Sequence, residues 1–144
     1  MKAGLLGKNE SFFILRIGLA VVFISNALMP FLASDDYADL IHSSFLANIL
    51  PVNVQTFGLF TAVNDLIVAC LLVSGKGGKY VAAYASAWII GVICVFGTHR
   101  YLDILEHIGF LSIAMYLLIA NLRPSLLSRL ESEVSKTHLS KNNS

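Results

Sequence analysis

Residues 54–73 read VQTFGLFTAVNDLIVACLLV, a nearly continuous apolar stretch with one acid, Asp65, close to its centre. As an α-helix that rises about 1.5 Å per residue, this stretch would be roughly 30 Å long, the thickness of a bilayer's hydrocarbon core. A carboxylate at that depth costs about 2.5–3.5 kcal/mol on insertion scales, so we expect Asp65 to face protein, water or a partner rather than lipid. The stretch therefore predicts a membrane-spanning helix that carries a buried acid.

The composition of the whole chain also favours a membrane protein. Of its 144 residues 56% are hydrophobic and 13% charged, and the mean hydropathy is +0.73. A soluble domain of this size carries more charge than that. The net charge of +1 argues against a nucleic-acid partner. The two cysteines, Cys70 and Cys94, do not form a Cys-x-x-Cys pair, which excludes a dithiol mechanism of quinone reduction.

Four apolar stretches are long enough to cross a bilayer: residues 12–32, 54–73, 80–96 and 104–122. The first is too long for the apolar region of a signal peptide and is followed by no small-x-small cleavage site, so we expect a retained helix. The sequence predicts an all-α, integral membrane bundle of four transmembrane helices in residues 1–123. A cytoplasmic tail, amphipathic and then polar, is predicted for residues 124–144.

The charged residues are distributed unevenly between the segments that connect these stretches. Nine of the ten basic residues fall on one side of a four-span arrangement, and the exception is Arg100. The other side holds Asp35, Asp36, Asp39, Asp103 and Glu106. By the positive-inside rule both termini are expected in the cytoplasm, and the protein is expected to be a multi-pass protein of the cell inner membrane.

The connecting segments predict further local structure. Residues 37–50 (YADLIHSSFLANIL) place apolar side chains at helical spacing before Pro51, which predicts a short helix lying in the membrane interface. Residues 74–79 (SGKGGK) predict a tight turn that makes the second and third transmembrane helices antiparallel neighbours.

Small residues indicate how the transmembrane helices pack. In the third, Ala83, Ala87 and Gly91 recur every four residues, a pattern that allows close approach of helix backbones. In the second, Gly58 and Ala69 share a face with Asp65, which is expected to be the packing face.

Asp65 is the first candidate site residue. It is either a proton carrier or polar ligand contact within the bundle, or a structural carboxylate held by Asn64, Thr61 or an arginine. Arg16 either reaches towards Asp65 or extends its side chain to the lipid headgroups. The Asn26 amide either bonds a neighbouring helix or contacts the same ligand.

A second polar cluster is predicted at the outer ends of the third and fourth transmembrane helices. Its members are His99, Arg100, Asp103, Glu106 and His107. On a helix, four of them fall within an arc of roughly 100° and could bind a divalent metal or a quinone headgroup. A solvated polar loop explains them equally well, and because no His-Glu-x-x-His spacing is present, no metal site is assigned. Trp88 is interpreted as a packing residue.

Two stretches resemble the DoxX/DoxD-like family of small four-helix membrane proteins. Residues 15–23 (LRIGLAVVF) resemble its opening Leu-Arg-x-x-Leu-Gly-x-x-Phe pattern. Residues 65–75 (DLIVACLLVSG) resemble its Glu-Leu-x-x-Gly-x-x-Leu-x-x-Gly pattern, with Asp65 in place of the glutamate. The resemblance extends over residues 12–122, but Ala69 replaces a glycine, and residues 26–30 lack the usual Gly-x-x-Lys ending.

The resemblance implies a function without implying catalytic residues. Some members of the family are membrane subunits of thiosulfate:quinone oxidoreductase, and others accompany redox or oxidative-stress partners. An accessory or anchoring subunit of a redox-linked complex, with no catalytic activity of its own, is therefore expected. Other membrane or membrane-attached subunits are the expected partners, and quinone is the one cofactor implied. The alternatives are a quinone-interacting oxidoreductase subunit and a small proton-coupled transporter.

Overall fold

The computed structural model describes the backbone over residues 8–49, 53–96 and 101–142, and side chains over residues 12–47, 53–95 and 101–123. Within these ranges the chain forms six helices: α1 (Lys8–Leu32), α2 (Ser34–Ser43), α3 (Leu46–Ile49), α4 (Val54–Ser74), α5 (Gly78–Phe96) and α6 (Tyr101–Asn142). Four segments are long and apolar enough to span a membrane: Phe12–Leu32, Val54–Ser74, Gly78–Val95 and Tyr101–Arg123. The predicted four-helix membrane class is confirmed.

The surface of the bundle is apolar. Only 17–33% of the residues in the most apolar part of each span are buried within the protein. Large hydrophobic side chains lie exposed on all four long helices, among them Phe13, Leu32, Phe60, Ile67, Ile90, Tyr116 and Ile119. A water-soluble monomer does not expose apolar area on this scale, whereas a bilayer provides a matching solvent.

The four long helices associate as two close pairs, α1 with α4 and α5 with α6, and the pairs contact each other less extensively. Within the first pair the helices are antiparallel, because Arg16 lies beside Gly75 and Pro30 lies beside Gly58. The predicted turn between α4 and α5 is present, and both Gly75 (φ 67°) and Gly77 (φ 85°) adopt positive φ there. The turn joins two helices whose main packing partners are elsewhere.

The two ends of the bundle differ in charge. The end formed by the start of α1, the α4–α5 turn and the part of α6 near Arg123 is called the basic end, with described members Arg16, Lys76, Lys79 and Arg123. The opposite end, called the acidic end, includes α2 and the start of α6, with Asp35, Asp36, Asp39, Asp103 and Glu106. The charge asymmetry predicted from the sequence is therefore present in the folded bundle.

The hydrophobic core occupies the half of the bundle nearer the basic end. It contains Leu19, Ala20, Phe23, Val68, Ala69, Leu72, Val81, Ala82, Ala85, Ile89, Ala114 and Leu117. Leu19, Ala85 and Ala114 are each 0% exposed, so side chains from α1, α5 and α6 meet here without a gap.

The predicted packing face of α5 is wrong. Ala83, Ala87 and Gly91 are all exposed, while Ala82, Ala85, Ser86 and Ile89 face the interior. Nearly every residue of α5 is apolar or small, so several stripes satisfy the four-residue spacing. In lipid, apolar character does not distinguish the inner stripe from the outer one. By contrast, the predicted inner face of α4 is confirmed, with Gly58, Asp65 and Ala69 buried.

The segment predicted as one interfacial helix over residues 37–50 forms two short helices, α2 and α3. The break is at Ser44, whose backbone is extended (φ −88°, ψ 164°). The Ser44 hydroxyl donates to Ile41 O at 2.7 Å and accepts from Leu46 N at 3.2 Å, so one side chain ends α2 and begins α3. Serine competes with helical backbone bonds in this way. Leu50 and Pro51 lie outside the described residues.

The last helix is longer than predicted. The span was expected to end at Leu122, but α6 continues to Asn142, through the greater part of the predicted tail. Of the tail's side chains nothing is described beyond Arg123.

Gly58 allows the close approach of α1 and α4. A Cβ at this position would lie 2.9 Å from Pro30 Cβ and 3.2 Å from Tyr37 Cε1. Gly58→Leu is therefore expected to destabilise the fold by about 1–3 kcal/mol through overpacking, measured as a lower midpoint of thermal unfolding in detergent. Gly109→Leu is the matched control, because a Cβ there meets nothing within 4 Å. Equal stability of the two variants would contradict the assigned packing.

Candidate functional site

A cavity of about 640 Å³ lies between the two helix pairs, in the half of the bundle nearer the acidic end. On α4 its lining extends from Phe57 to Asp65, which corresponds to about 12 Å of helix rise. α2 and α3 also contribute to the wall, through Tyr37, Leu40, Ile41, Phe45 and Leu46. A volume of this size lies within the range of small-molecule sites, roughly 300–1,000 Å³.

The cavity brings together residues that the sequence assigned to two separate clusters. Asp65 and Asn26 from the mid-membrane cluster line it, and so do Asp103, Glu106 and His107 from the outer cluster. His99 and Arg100 lie outside the described residues. Asn64 does not line the cavity but bonds to Asp65 from behind.

Asp65 is held at the inner end of the cavity by its neighbours. Its side chain is 5% exposed, and Asn64 Nδ2 donates to Asp65 Oδ1 at 3.2 Å. Asn64 Oδ1 in turn accepts a short hydrogen bond from the Tyr84 hydroxyl, which ties α4 to α5. Trp88 is a further hydrogen-bond partner of Asp65. Of the two structural partners predicted for Asp65 by name, Asn64 is therefore present.

A hydrogen-bonded pair closes the side of the cavity near α2. The Thr61 hydroxyl donates to Gly58 O at 3.0 Å, so in its 3.0 Å bond with Tyr37 it accepts the phenol hydrogen. Tyr37 is 8% exposed, and burial raises the pKa of its phenol above the usual 10.0. The bond to Thr61 acts in the opposite direction, and the charge of Asp65 adds to the rise in this pKa. Tyr37 is therefore a neutral hydrogen-bond donor over the physiological pH range.

His107 is the buried member of the outer cluster. It is 7% exposed, its Nδ1 lies 2.8 Å from Asp103 O, and its ring meets Phe110 edge-on at 5.6 Å between centroids. A carbonyl oxygen only accepts, so Nδ1 carries the hydrogen in this contact, and the ring orientation is set by the backbone of its own helix.

The outer cluster does not form a metal site in the part of the chain that is described. No group of three His, Cys, Asp or Glu side chains there is arranged to hold a metal ion. Of the two ligand types proposed for this cluster, the geometry of Asp103, Glu106 and His107 along the wall of an apolar cavity fits an organic headgroup better.

Asn26 faces the cavity from α1. None of the hydrogen bonds within the described ranges uses its side-chain amide, so the predicted bond to a neighbouring helix is not formed there. An amide supplies both a donor and an acceptor. Asn26 is therefore available to a ligand from a different helix than the one carrying Asp65.

Arg16 does not belong to this site. Its guanidinium lies against Gly75, ten residues after Asp65 on α4 and about 15 Å along the helix axis. The predicted approach of Arg16 to Asp65 is therefore not realised, because the side chain extends towards the basic end while Asp65 lies in mid-span.

Trp88 is the residue whose role was misjudged from the sequence. It lines the cavity and bonds to Asp65, in addition to packing against Tyr84 with ring centroids 6.4 Å apart. The signal available in the sequence was chemical: a buried indole N–H requires an acceptor, and Asp65 is the one mid-span acid. Tyr37 and Thr61 carried no comparable signal, because their contact joins segments 24 residues apart.

Comparisons with protein-family models, with curated proteins and with solved structures find no match to this chain. The resemblance to the DoxX/DoxD-like family thus rests on residues 15–23 and 65–75 alone and stays a prediction.

Proposed function

We propose that this protein binds a lipid-soluble ligand of the quinone class in the cavity between its helix pairs, as the quinone-side subunit of a larger redox-linked complex. The observation that carries the proposal is an apolar cavity of about 640 Å³ within a membrane bundle, with Asp65 and Trp88 at its inner end. An isoprenoid quinone matches this arrangement, because its tail is apolar and its ring carries hydrogen-bonding oxygens.

The polar groups of the cavity suit both redox states of such a ring. A quinone carbonyl accepts hydrogen bonds, which the Asn26 amide is able to donate from α1. A quinol hydroxyl donates, and the Asp65 carboxylate accepts from α4. Two contacts from different helices would orient the ring, while the apolar wall would hold the tail.

The redox centre itself is assigned to a partner. The sequence carries no recognisable cofactor motif, and cofactors rather than side chains perform electron transfer. The accessory-subunit role expected from the family resemblance thus becomes one with a defined task, the supply of a quinone site in the inner membrane. Asp65 and His107 are the candidate proton carriers on this route.

A proton-coupled transporter is less well supported. Alternating access requires the central site to open towards either side of the membrane. On the basic-end side of Asp65, the bundle is filled by the core around Leu19, Val68 and Leu117, which are all 2% exposed or less. Opening this side would require the separation of close-packed helices.

The single tryptophan offers a direct test. Because Trp88 lines the cavity and is the one tryptophan of the chain, its fluorescence reports occupancy. Titration of the purified protein in detergent with a short-tailed benzoquinone is expected to quench this fluorescence along a saturating curve.

The control places the indole outside the cavity at nearly the same depth. In Trp88→Phe combined with Ile90→Trp, the indole occupies a position that is 49% exposed on the outer surface. Quenching there is expected to rise linearly with quinone in the micelle. A linear response in the wild-type protein as well would contradict the proposal.

A further inference from the structure

Arg16 occupies a polar pocket at the basic end, separate from the cavity around Asp65. Its Nε atom is buried and has no hydrogen-bond partner. The guanidinium lies so close to Gly75 that a Cβ there would overlap Nη1. Its one aromatic contact is loose, with Cζ 6.0 Å from the centroid of Phe13. The side chain is therefore confined beneath the α4–α5 turn and is not extended freely into the headgroup region.

Two adjoining cavities surround the guanidinium. The larger, about 280 Å³, is lined by Phe12, Arg16, Leu117, Ala120 and Asn121. The smaller, about 50 Å³, shares Arg16 and Asn121 and reaches Lys76 in the turn. An engineered apolar cavity of about 150 Å³ already binds benzene, so the larger space has room for a group of several heavy atoms.

The charge in this pocket is positive and uncompensated within the described side chains. No carboxylate there pairs with Arg16, and the acidic residues described at the bundle ends lie at the opposite one. Lys79, the other lysine of the turn, is engaged differently, with Nζ 5.2 Å from the centroid of the Tyr80 ring. Arginine stays protonated at any physiological pH, so a confined guanidinium favours a bound anion.

We propose that this pocket is a binding site for a phosphate group, with Arg16 as its main contact and Lys76 as the second. The planar fork of a guanidinium matches two phosphate oxygens, whereas Lys76 contributes a point charge. The phosphate belongs either to an anionic phospholipid of the membrane leaflet at the basic end or to a free phosphate compound. Basic residues at a membrane surface attract both.

Native mass spectrometry of the delipidated protein in detergent tests the proposal. Phosphatidylglycerol and inorganic phosphate are added separately, and the retained adduct is measured for each. The wild type is expected to retain one of them, and Arg16→Gln is expected to weaken that retention about tenfold or more, since charge-assisted bonds to phosphate are lost. Retention of phosphatidylglycerol alone identifies a lipid site, and retention of inorganic phosphate identifies a soluble ligand.

Matched controls separate the site from general surface charge. Arg123→Gln removes an exposed arginine at the same end, and Lys79→Gln removes the lysine held by Tyr80. Neither is expected to change retention, whereas Lys76→Gln, in an exposed turn where folding is not at risk, is expected to weaken it severalfold. Retention that is equal in the wild type, Arg16→Gln and Lys76→Gln, or absent for both probes, overturns the proposal.

Discussion

Gly91→Phe is expected to weaken quinone binding by tenfold or more while leaving the fold intact. Gly91 lines the cavity between the helix pairs, and a Cβ at this position meets nothing within 4 Å. A phenyl ring can therefore enter the cavity without displacing the backbone. It would occupy space that the ligand needs, and forcing the two together costs about 1.4 kcal/mol or more, a factor of ten in Kd. Quenching of Trp88 by the short-tailed benzoquinone measures the change.

Gly109→Phe is the matched control for this substitution. Gly109 lies in α6, has equally open surroundings, and does not line the cavity. Both variants replace a helical glycine, so both gain up to about 1 kcal/mol in helix propensity. If Gly109→Phe weakens binding as much as Gly91→Phe does, the ligand does not occupy this cavity. If neither variant weakens it, the same conclusion follows.

Asp65→Leu is expected to separate the two roles left open for this acid. As a ligand contact, Asp65 contributes a charge-assisted hydrogen bond worth about 1.5–3 kcal/mol, so its loss should raise the Kd for quinone at least about tenfold. The fold should tolerate the change, because removal of the buried acid recovers an insertion cost of about 2.5–3.5 kcal/mol. That gain offsets the bonds lost by Asn64 and Trp88.

Two measurements on the same variants decide the outcome. Trp88 quenching gives the affinity, and thermal unfolding in detergent gives the stability. Asp65→Asn serves as the conservative comparison, since an amide keeps a polar contact with both Asn64 and the ligand, and its effect on Kd should be smaller. A clear loss of stability in Asp65→Leu with unchanged affinity would instead make Asp65 a structural carboxylate.

Part of the site could be predicted from single residues. The cost of a mid-span acid predicted that Asp65 faces inward, and its 5% exposure agrees. The wrong predictions concern relations between residues. Arg16 was placed within reach of Asp65 because both are charged and lie in neighbouring spans. Sequence distance does not reveal that Arg16 extends towards one end of the bundle and lies against Gly75.

The sequence by itself determined the class of protein, the four spans and the uneven distribution of charge between the two ends of the bundle. These depend on the length, hydropathy and order of segments, which are local properties of the chain. Only the tertiary structure decided which face of each helix turns inward and which polar residues share one cavity. In a bilayer, apolar side chains suit both the interior and the lipid surface, so the periodicity that marks a core in water is lost. For that reason Ala83 and Ala87 were assigned to the wrong face, and the joining of Asp65, Asn26 and His107 around one cavity became visible only in the folded bundle.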